Sequence, residues 1–304
     1  TGVPDNGTSI YVDCPDDRVT WPRQGGYSSV GFVESVGRGV KSVKKGDRVA
    51  MSWTVHSQFV CLPERQVYLI PDNVDFEQAA LTHISTFPMA AIRKCRLEVG
   101  ESALVMGQGV LGQLAVVLLK AAGALPVIAA DPVAAKRERA LALGADLAFD
   151  PLAPDFAARV KAATGTGHVV QDGRVADCGA KAVIEVTGNG PALNTALEAI
   201  APFGRLALLG CTRDSNFTVN YYRKVHARGI TMIGAHTNAR PDGESHGGWW
   251  TTRDDALTTL RLLSLKRISL KGFVSEVHKV KEAPAVYARL AKGGAFPCVQ
   301  FDWN

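Results

Sequence analysis

The spacing of hydrophobic positions changes character along the chain. Up to about residue 71 they come in short runs rich in Val and aromatics, VGFVESVG, DRVAMSW, HSQFVCL and QVYLIP, cut by Gly, Pro and Asp. That pattern predicts short strands burying one face. GVKSVKKGDRV predicts a strand, a Gly turn and a second strand. FEQAALTHISTFPMAAIRKC is then Ala-rich with helical spacing, and Pro88 predicts a helix start or a bend.

From Gly100 strands and helices alternate. SALVMG, LPVIAAD, DLAFD, KAVIEVTG, RLALLG and GITMIGAH read as strands. VLGQLAVVLLKAAG, PVAAKRERALALG, DFAARVKAATG and PALNTALEAIAPFG between them read as helices. Repeating βα units with wholly apolar strands predict an α/β class: a doubly wound parallel sheet covered on both faces. TGTGHVVQDGRVADCG, residues 164–179, interrupts the alternation and predicts a surface loop or an extra hairpin. After His236 a polar segment with Gly, Pro and Trp leads to a helix (TRDDALTTLRLLSLK), a strand (LKGFVSEV), a short helix (APAVYARLAK) and a last strand (CVQFDW).

Composition narrows the functions this pattern could serve. With 304 residues, 46% hydrophobic and 21% charged, the chain can bury a large core or two. The net charge of +5 is spread, with no Lys/Arg run longer than a pair, so no nucleic-acid partner is expected. Apolar runs are broken by Gly or Lys short of the ~20 residues of a membrane span, so no membrane partner is expected either. None of the six cysteines lies within four residues of another, which excludes C-x-x-C metal or redox spacing. Scattered cysteines without a visible secretion signal point to a reducing cytoplasm.

The strongest chemical signal is VMGQGVLGQLA, where Gly107, Gly109 and Gly112 stand in G-x-G-x-x-G spacing between a strand and a helix. The first glycine permits a tight turn, the second lets a pyrophosphate approach the backbone, and the third lets helix and strand pack closely. The N–H groups that open the helix, beginning at Val110 and Leu111, then meet the phosphates. The next strand ends in Asp131, 19 residues past Gly112. A carboxylate there bonds a ribose 2′-hydroxyl and repels a 2′-phosphate, favouring NAD(H) over NADP(H). Lys136 and Arg137 follow closely and suit either a phosphate or a place beside the adenine. Ligands of parallel sheets sit at the carboxyl ends of strands, which adds Val186, Thr187, Gly188, Leu209, Gly210, Gly234 and His236 as candidates. Two other motifs fail. Val30 stands where a G-x-S-x-G elbow needs glycine, and no P-loop lysine follows Gly31.

Taken together, GYSSVGFVESVGRGVKSVKKGDRV, LTHISTFPMAAI, VMGQGVLGQLA, DPVAAKRERALALGAD and LKGFVSEVHKVKEAPAVYARLAKGG resemble the medium-chain dehydrogenase/reductase superfamily, the alcohol dehydrogenases and their zinc-free relatives. The resemblance implies a GroES-like, mainly β catalytic domain over residues 1–85, a Rossmann domain over 86–236 and a return to the catalytic domain over 237–304. It also implies a few dozen residues before residue 1, a small-molecule substrate, and a homodimer or homotetramer. Zinc-dependent members open the first stretch with Gly-His-Glu, where this chain has Gly26-Tyr27-Ser28. A second ligand position falls at Thr82, and the first Cys would fall in TGVPDN, which has none. MSWTVHSQFV carries no structural-zinc cysteines. Hydroxyls are poor Zn²⁺ ligands, so no metal site is expected. Gly-Tyr-x-x-Val-Gly resembles the zinc-free branch of hydroxyethyl-bacteriochlorophyllide dehydrogenase-like members.

Without a Lewis acid, hydrogen-bond donors must polarise the reacting oxygen. Tyr27 is the first candidate, or else a packed aromatic; Ser28, Ser85 and Thr86 could assist. His56, where relatives line a substrate pocket, and His83 could shuttle protons or be structural. His236, His246, Trp249 and Trp250 could shape the substrate site or cap an interface. The expected activity is zinc-independent, NAD(H)-dependent hydride transfer with a secondary alcohol or ketone, whether polyol, sugar or cyclic. The alternatives are a zinc-free NADPH-dependent enone or quinone reductase and a non-catalytic nucleotide-binding protein.

Overall fold

The computed structural model describes residues 25–165, 178–212, 216–292 and 298–303. The TGVPDN stretch and most of the expected 164–179 loop lie outside the described residues. The described residues form two compact units, one from 25–86 with 251–303 and one from 87–250.

The first unit begins with an antiparallel sheet of β1 (Ser28–Phe32), β2 (Arg48–Ser52) and β3 (Val67–Leu69), in that order. Ser28 pairs with Ser52 and Val30 with Ala50. The strand expected within GVKSVKKGDRV before β2 is absent. The Glu64 carboxylate takes the N–H groups of Lys41 and Ser42, the Asp47 carboxylate takes that of Lys44, and Gly39 and Gly46 turn the chain at positive φ. Those donors are spent on side chains and cannot join a ladder. HSQFVCL is likewise irregular; Phe59 is exposed, so its alternation has no face to bury. α1 (Phe76–Ala79) is capped by the Asp75 carboxylate, which accepts the Gln78 N–H. α2 (Thr82–Lys94) follows, its residues from Phe87 on counted in the second unit, with Pro88 inside the helix and not at its start.

The second unit contains β4 (Ala103–Met106), α3 (Val110–Ala121), β5 (Val127–Ala130), α4 (Ala134–Ala142), β6 (Leu147–Phe149), α5 (Phe156–Ala163), β7 (Ala180–Glu185), α6 (Gly190–Ala199), β8 (Ile200–Leu208), α7 (Tyr221–Lys224) and β9 (Thr231–Gly234). Its six strands are all parallel, in the order β6-β5-β4-β7-β8-β9. Leu104, Met106, Ile128, Leu197, Ile200 and Leu206 are fully buried in one core. Each such side chain contributes about 1.5–3 kcal/mol of hydrophobic free energy. PALNTALEAIAPFG does not stay helical to Gly204; β8 begins at Ile200. Pro202 has no N–H for a helix and pushes the preceding residue to extended backbone. The strand order reverses between β4 and β7, so the crevice for a ligand opens beyond Met106 and Glu185.

The chain then returns to the first unit as α8 (Thr252–Ser264), β10 (Glu276–Lys279), α9 (Ala283–Ala291) and β11 (Val299–Asp302), with β10 and β11 parallel. LKGFVSEV becomes strand only from Glu276. Gly272 turns at φ +69°, and Phe273 and Val274 are buried individually. Among the described residues no helix is long and apolar enough to cross a membrane.

Candidate functional site

At the strand-order reversal the three glycines do three different things. Gly107 lies at φ +95°, and a Cβ there would come 2.8 Å from Thr187 Cγ2. A Cβ at Gly112 would overlap the Gly107 carbonyl oxygen, so α3 sits directly on the turn. A Cβ at Gly109 would meet nothing within 4 Å, although Gly109 caps α3. Two glycines are therefore needed for packing, and the third faces open space where a side chain would intrude on a ligand. Val110 and Leu111 form the first turn of α3, whose N–H groups are the natural anion donors. Gln113 in α3 donates to the Gln108 carbonyl and steadies the loop.

Asp131, just past β5, is buried to 5% exposure. Its Oδ2 accepts the Gln108 N–H at 2.8 Å and its Oδ1 the Val133 N–H at 2.9 Å. The carboxylate therefore holds the glycine loop and the entry to α4 together. Each oxygen keeps one lone pair for a ribose hydroxyl. Lys136 Nζ lies 3.9 Å from Asp131. The Arg137 guanidinium donates to the carbonyls of Asp131 and Pro132 and pairs with Asp150, so it braces the chain next to the site.

On the other side of the crevice, Glu185 closes β7 at 2% exposure. It was not among the residues singled out from the sequence. Its carboxylate accepts the N–H groups of Thr187 and Gly188 and the Thr187 hydroxyl. Burial pushes this carboxyl above its usual range, against the lowering pull of those bonds. Thr187 is thereby held with its methyl toward Gly107. A Cβ on Gly188 would overlap the Cys211 carbonyl, and one on Gly210 would overlap Gly188 N, so the two strand-end turns cross in contact. A carboxylate at the end of the apolar run AVIEV was the readable signal for Glu185. The cradle fits a dinucleotide: a bare turn, an open Cβ direction at the helix start and a carboxylate at the second strand end.

The segment after β9 is braced from within its own unit. Lys94, 6% exposed, donates to the carbonyls of Gly234 and Ala239 and lies 4.5 Å from the Trp249 ring centroid. Arg93 stacks over Trp250 at 3.4 Å. His246 and Trp249 exchange backbone bonds, and His236 Nδ1 accepts the Asn238 N–H. The tryptophans thus present faces to cations of this unit.

In the first unit, Tyr27 is 42% exposed and sits edge-on to His83, 5.8 Å between ring centroids. Trp53 makes a T-shaped contact with the same imidazole at 4.7 Å. His83 is 1% exposed. Trp53 is held at φ +58° while its N–H bonds the Tyr27 carbonyl at 2.8 Å. Ser28 Oγ donates to the Ala80 carbonyl, Ser85 Oγ to Leu81 and Thr86 Oγ1 to His83. The Ser28 and Thr86 hydroxyl protons are thus engaged by backbone. His56 bonds the Tyr287 hydroxyl at 2.7 Å and packs edge-on to Phe301, and partial burial pushes its imidazole pKa down. A Cβ at Gly26, itself at φ +81°, would lie 2.9 Å from His56 Nδ1, so His56 supports the turn that presents Tyr27. Among the described residues no three His, Cys, Asp or Glu groups gather as a metal site. Of the two rings packed against Tyr27, those of Trp53 and His83, only the imidazole could ligate zinc, and the Tyr27 phenol itself is a poor ligand.

A family profile described as zinc-binding dehydrogenase matches residues 110–246. The L-threonine 3-dehydrogenase of Caldanaerobacter subterraneus subsp. tengcongensis is 27% identical, over 75% of this chain and 72% of that protein. The 2-dehydro-3-deoxy-L-galactonate 5-dehydrogenase of Pseudoalteromonas atlantica is 24% identical, over 95% and 85%. Among solved structures, galactitol-1-phosphate dehydrogenase from Escherichia coli superposes with a TM-score of 0.73 at 20% identity, covering 90% of this chain and 80% of that one. With its glycine cradle, its six-stranded parallel sheet and these dehydrogenase relatives, the chain resembles the medium-chain dehydrogenase/reductase superfamily and is an oxidoreductase of the alcohol dehydrogenase type.

Proposed function

We propose that the chain is a zinc-independent, NAD(H)-dependent dehydrogenase that acts on a secondary alcohol or ketone bearing further hydroxyls, a polyol, sugar or cyclic alcohol. The observation that carries the cofactor preference is Asp131, a buried carboxylate at the end of β5. The nearby Arg137 is engaged by carbonyls and Asp150, and Lys136 faces Asp131. A 2′-phosphate brought there would be repelled by the Asp131 carboxylate, while the two cations are already engaged by protein groups. The substrate class draws on the relatives, one named for a sugar acid and one for a polyol phosphate.

In this reading Gly109 leaves room for the pyrophosphate, the first turn of α3 binds it, and Asp131 receives the ribose hydroxyls. The bound nicotinamide supplies or accepts the hydride. Tyr27 donates a hydrogen bond to the reacting oxygen and favours its alkoxide character. His56 keeps the Gly25–Gly26 turn in place through Tyr287, and Ser28 and Thr86 act as supports for β1 and α2. The test is a titration with NADH and with NADPH, then a screen of polyols, sugars and cyclic alcohols with metal analysis of the active protein. NADH binding at least about tenfold tighter is expected, 1.4 kcal/mol or more. Tighter NADPH binding, or stoichiometric zinc in protein that turns over, would sink the proposal.

A further inference from the structure

Three side-chain hydroxyls lie buried on the first turns of α2, and they are not equivalent. Ser85 and Thr86 donate back to the carbonyls of Leu81 and His83, the i−4 and i−3 positions of the helix. Thr82 opens the helix, and the turn at Ala80 and Leu81 separates it from α1. One nearby carbonyl, Gln78, already accepts the Leu81 N–H. Thr82 is 1% exposed, and its Oγ1 has no hydrogen-bond partner among the described residues. An orphan hydroxyl in the interior is costly, and native proteins keep few of them.

The helix end itself has the same shortage. Leu81 accepts the Ser85 N–H and so occupies the cap position, yet it has no side-chain oxygen to offer. Leu81, Thr82, His83 and Ile84 are all buried, so solvent does not serve this end of the 13-residue helix. The start of α2 thus combines the positive end of a helix dipole with a hydroxyl proton that lacks an acceptor. Both features ask for an oxygen carrying negative charge. The next residue, His83, is the one against which Tyr27 packs.

We infer that the Thr82 hydroxyl, with the first turn of α2, is a second donor to the reacting oxygen of the substrate, so that a helix end and two hydroxyls stabilise the alkoxide. This deepens the proposed dehydrogenase reading and rests on it. Donors fixed in a water-poor interior act more strongly on developing charge than the same groups in solvent.

Thr82→Val, which keeps the shape and removes the hydroxyl, separates the outcomes when compared with wild type and Thr82→Ser. If the hydroxyl waits for substrate, Thr82→Val raises Tm by roughly 2–4 °C, because an unsatisfied buried polar group is gone. It also lowers kcat about 10²-fold with the NADH Kd unchanged. Thr82→Ser restores kcat, and the loss in Thr82→Val combined with Tyr27→Phe is less than the product of the single losses. Unchanged kcat in Thr82→Val overturns the inference. So does a fall in Tm, which would mean that the hydroxyl is satisfied within the fold, and so does full multiplicativity with Tyr27→Phe. A wild-type protein that binds NADH yet turns over no alcohol or ketone instead removes the dehydrogenase reading, and the inference with it.

Discussion

At the scale of single residues, the glycines make the most separable prediction. Gly109→Ala places a methyl where nothing lies within 4 Å and where the backbone is ordinary, so Tm should stay within about 1 °C while NADH affinity falls by at least about tenfold. Gly112→Ala drives a methyl into the Gly107 carbonyl, and thermal unfolding should show a loss of about 3 kcal/mol or more. Glu185 gives a pH signature. The folded chain holds its proton more tightly than the unfolded chain does, so its contribution to stability is complete below the ordinary carboxylate range and is lost as pH rises through the raised folded value. The Tm difference between wild type and Glu185→Gln, followed from pH 4 to 8, should therefore shift against wild type with rising pH. A flat difference would show that burial does not govern this carboxyl. The glycines and Asp131 were readable from the sequence because their chemistry is local: a spacing, and a carboxylate one strand later. The orphan state of Thr82 was not readable, since it depends on where the turn between α1 and α2 places the carbonyls around its hydroxyl.

At the scale of elements, period and punctuation placed the strands and helices of the second unit almost completely, because parallel strands buried on both faces are continuous apolar runs. The exceptions have local causes. β8 starts early because Pro202 ends α6, and the stretch before β2 is turns because Glu64 and Asp47 capture its N–H groups. What no periodicity could show is the anchoring of the segment after β9. Lys94 grips carbonyls 140 and 145 positions away, and a buried lysine reads in sequence as an ordinary helix-end cation. Lys94→Met keeps the stem and removes both bonds. It should cost about 1–3 kcal/mol and raise hydrogen exchange across residues 234–250 without raising it in β4 or β7. Uniform exchange changes would refute this anchoring.

At the scale of the whole molecule, cofactor binding and stability are linked. A ligand that binds only the folded chain adds about 2.7 kcal/mol at a hundredfold excess over its Kd. NADH should therefore raise Tm clearly at concentrations where NADPH does not, and equal shifts would count against the role given to Asp131. The unit that carries Tyr27 also has a particular order of assembly. Its two stretches, 25–86 and 251–303, are separated by the entire second unit, and the contact that steadies its turn joins His56 to Tyr287 across 231 positions. On the ribosome, residues 25–86 are made first, and the whole six-stranded sheet follows before α9 can supply Tyr287. For that interval the Gly25–Gly26 turn has no Tyr287 to hold it. The nucleotide-binding unit can be complete and loaded with cofactor while the unit bearing the proposed proton donor is still waiting for α9, so competence to bind NADH should precede competence to turn over during synthesis.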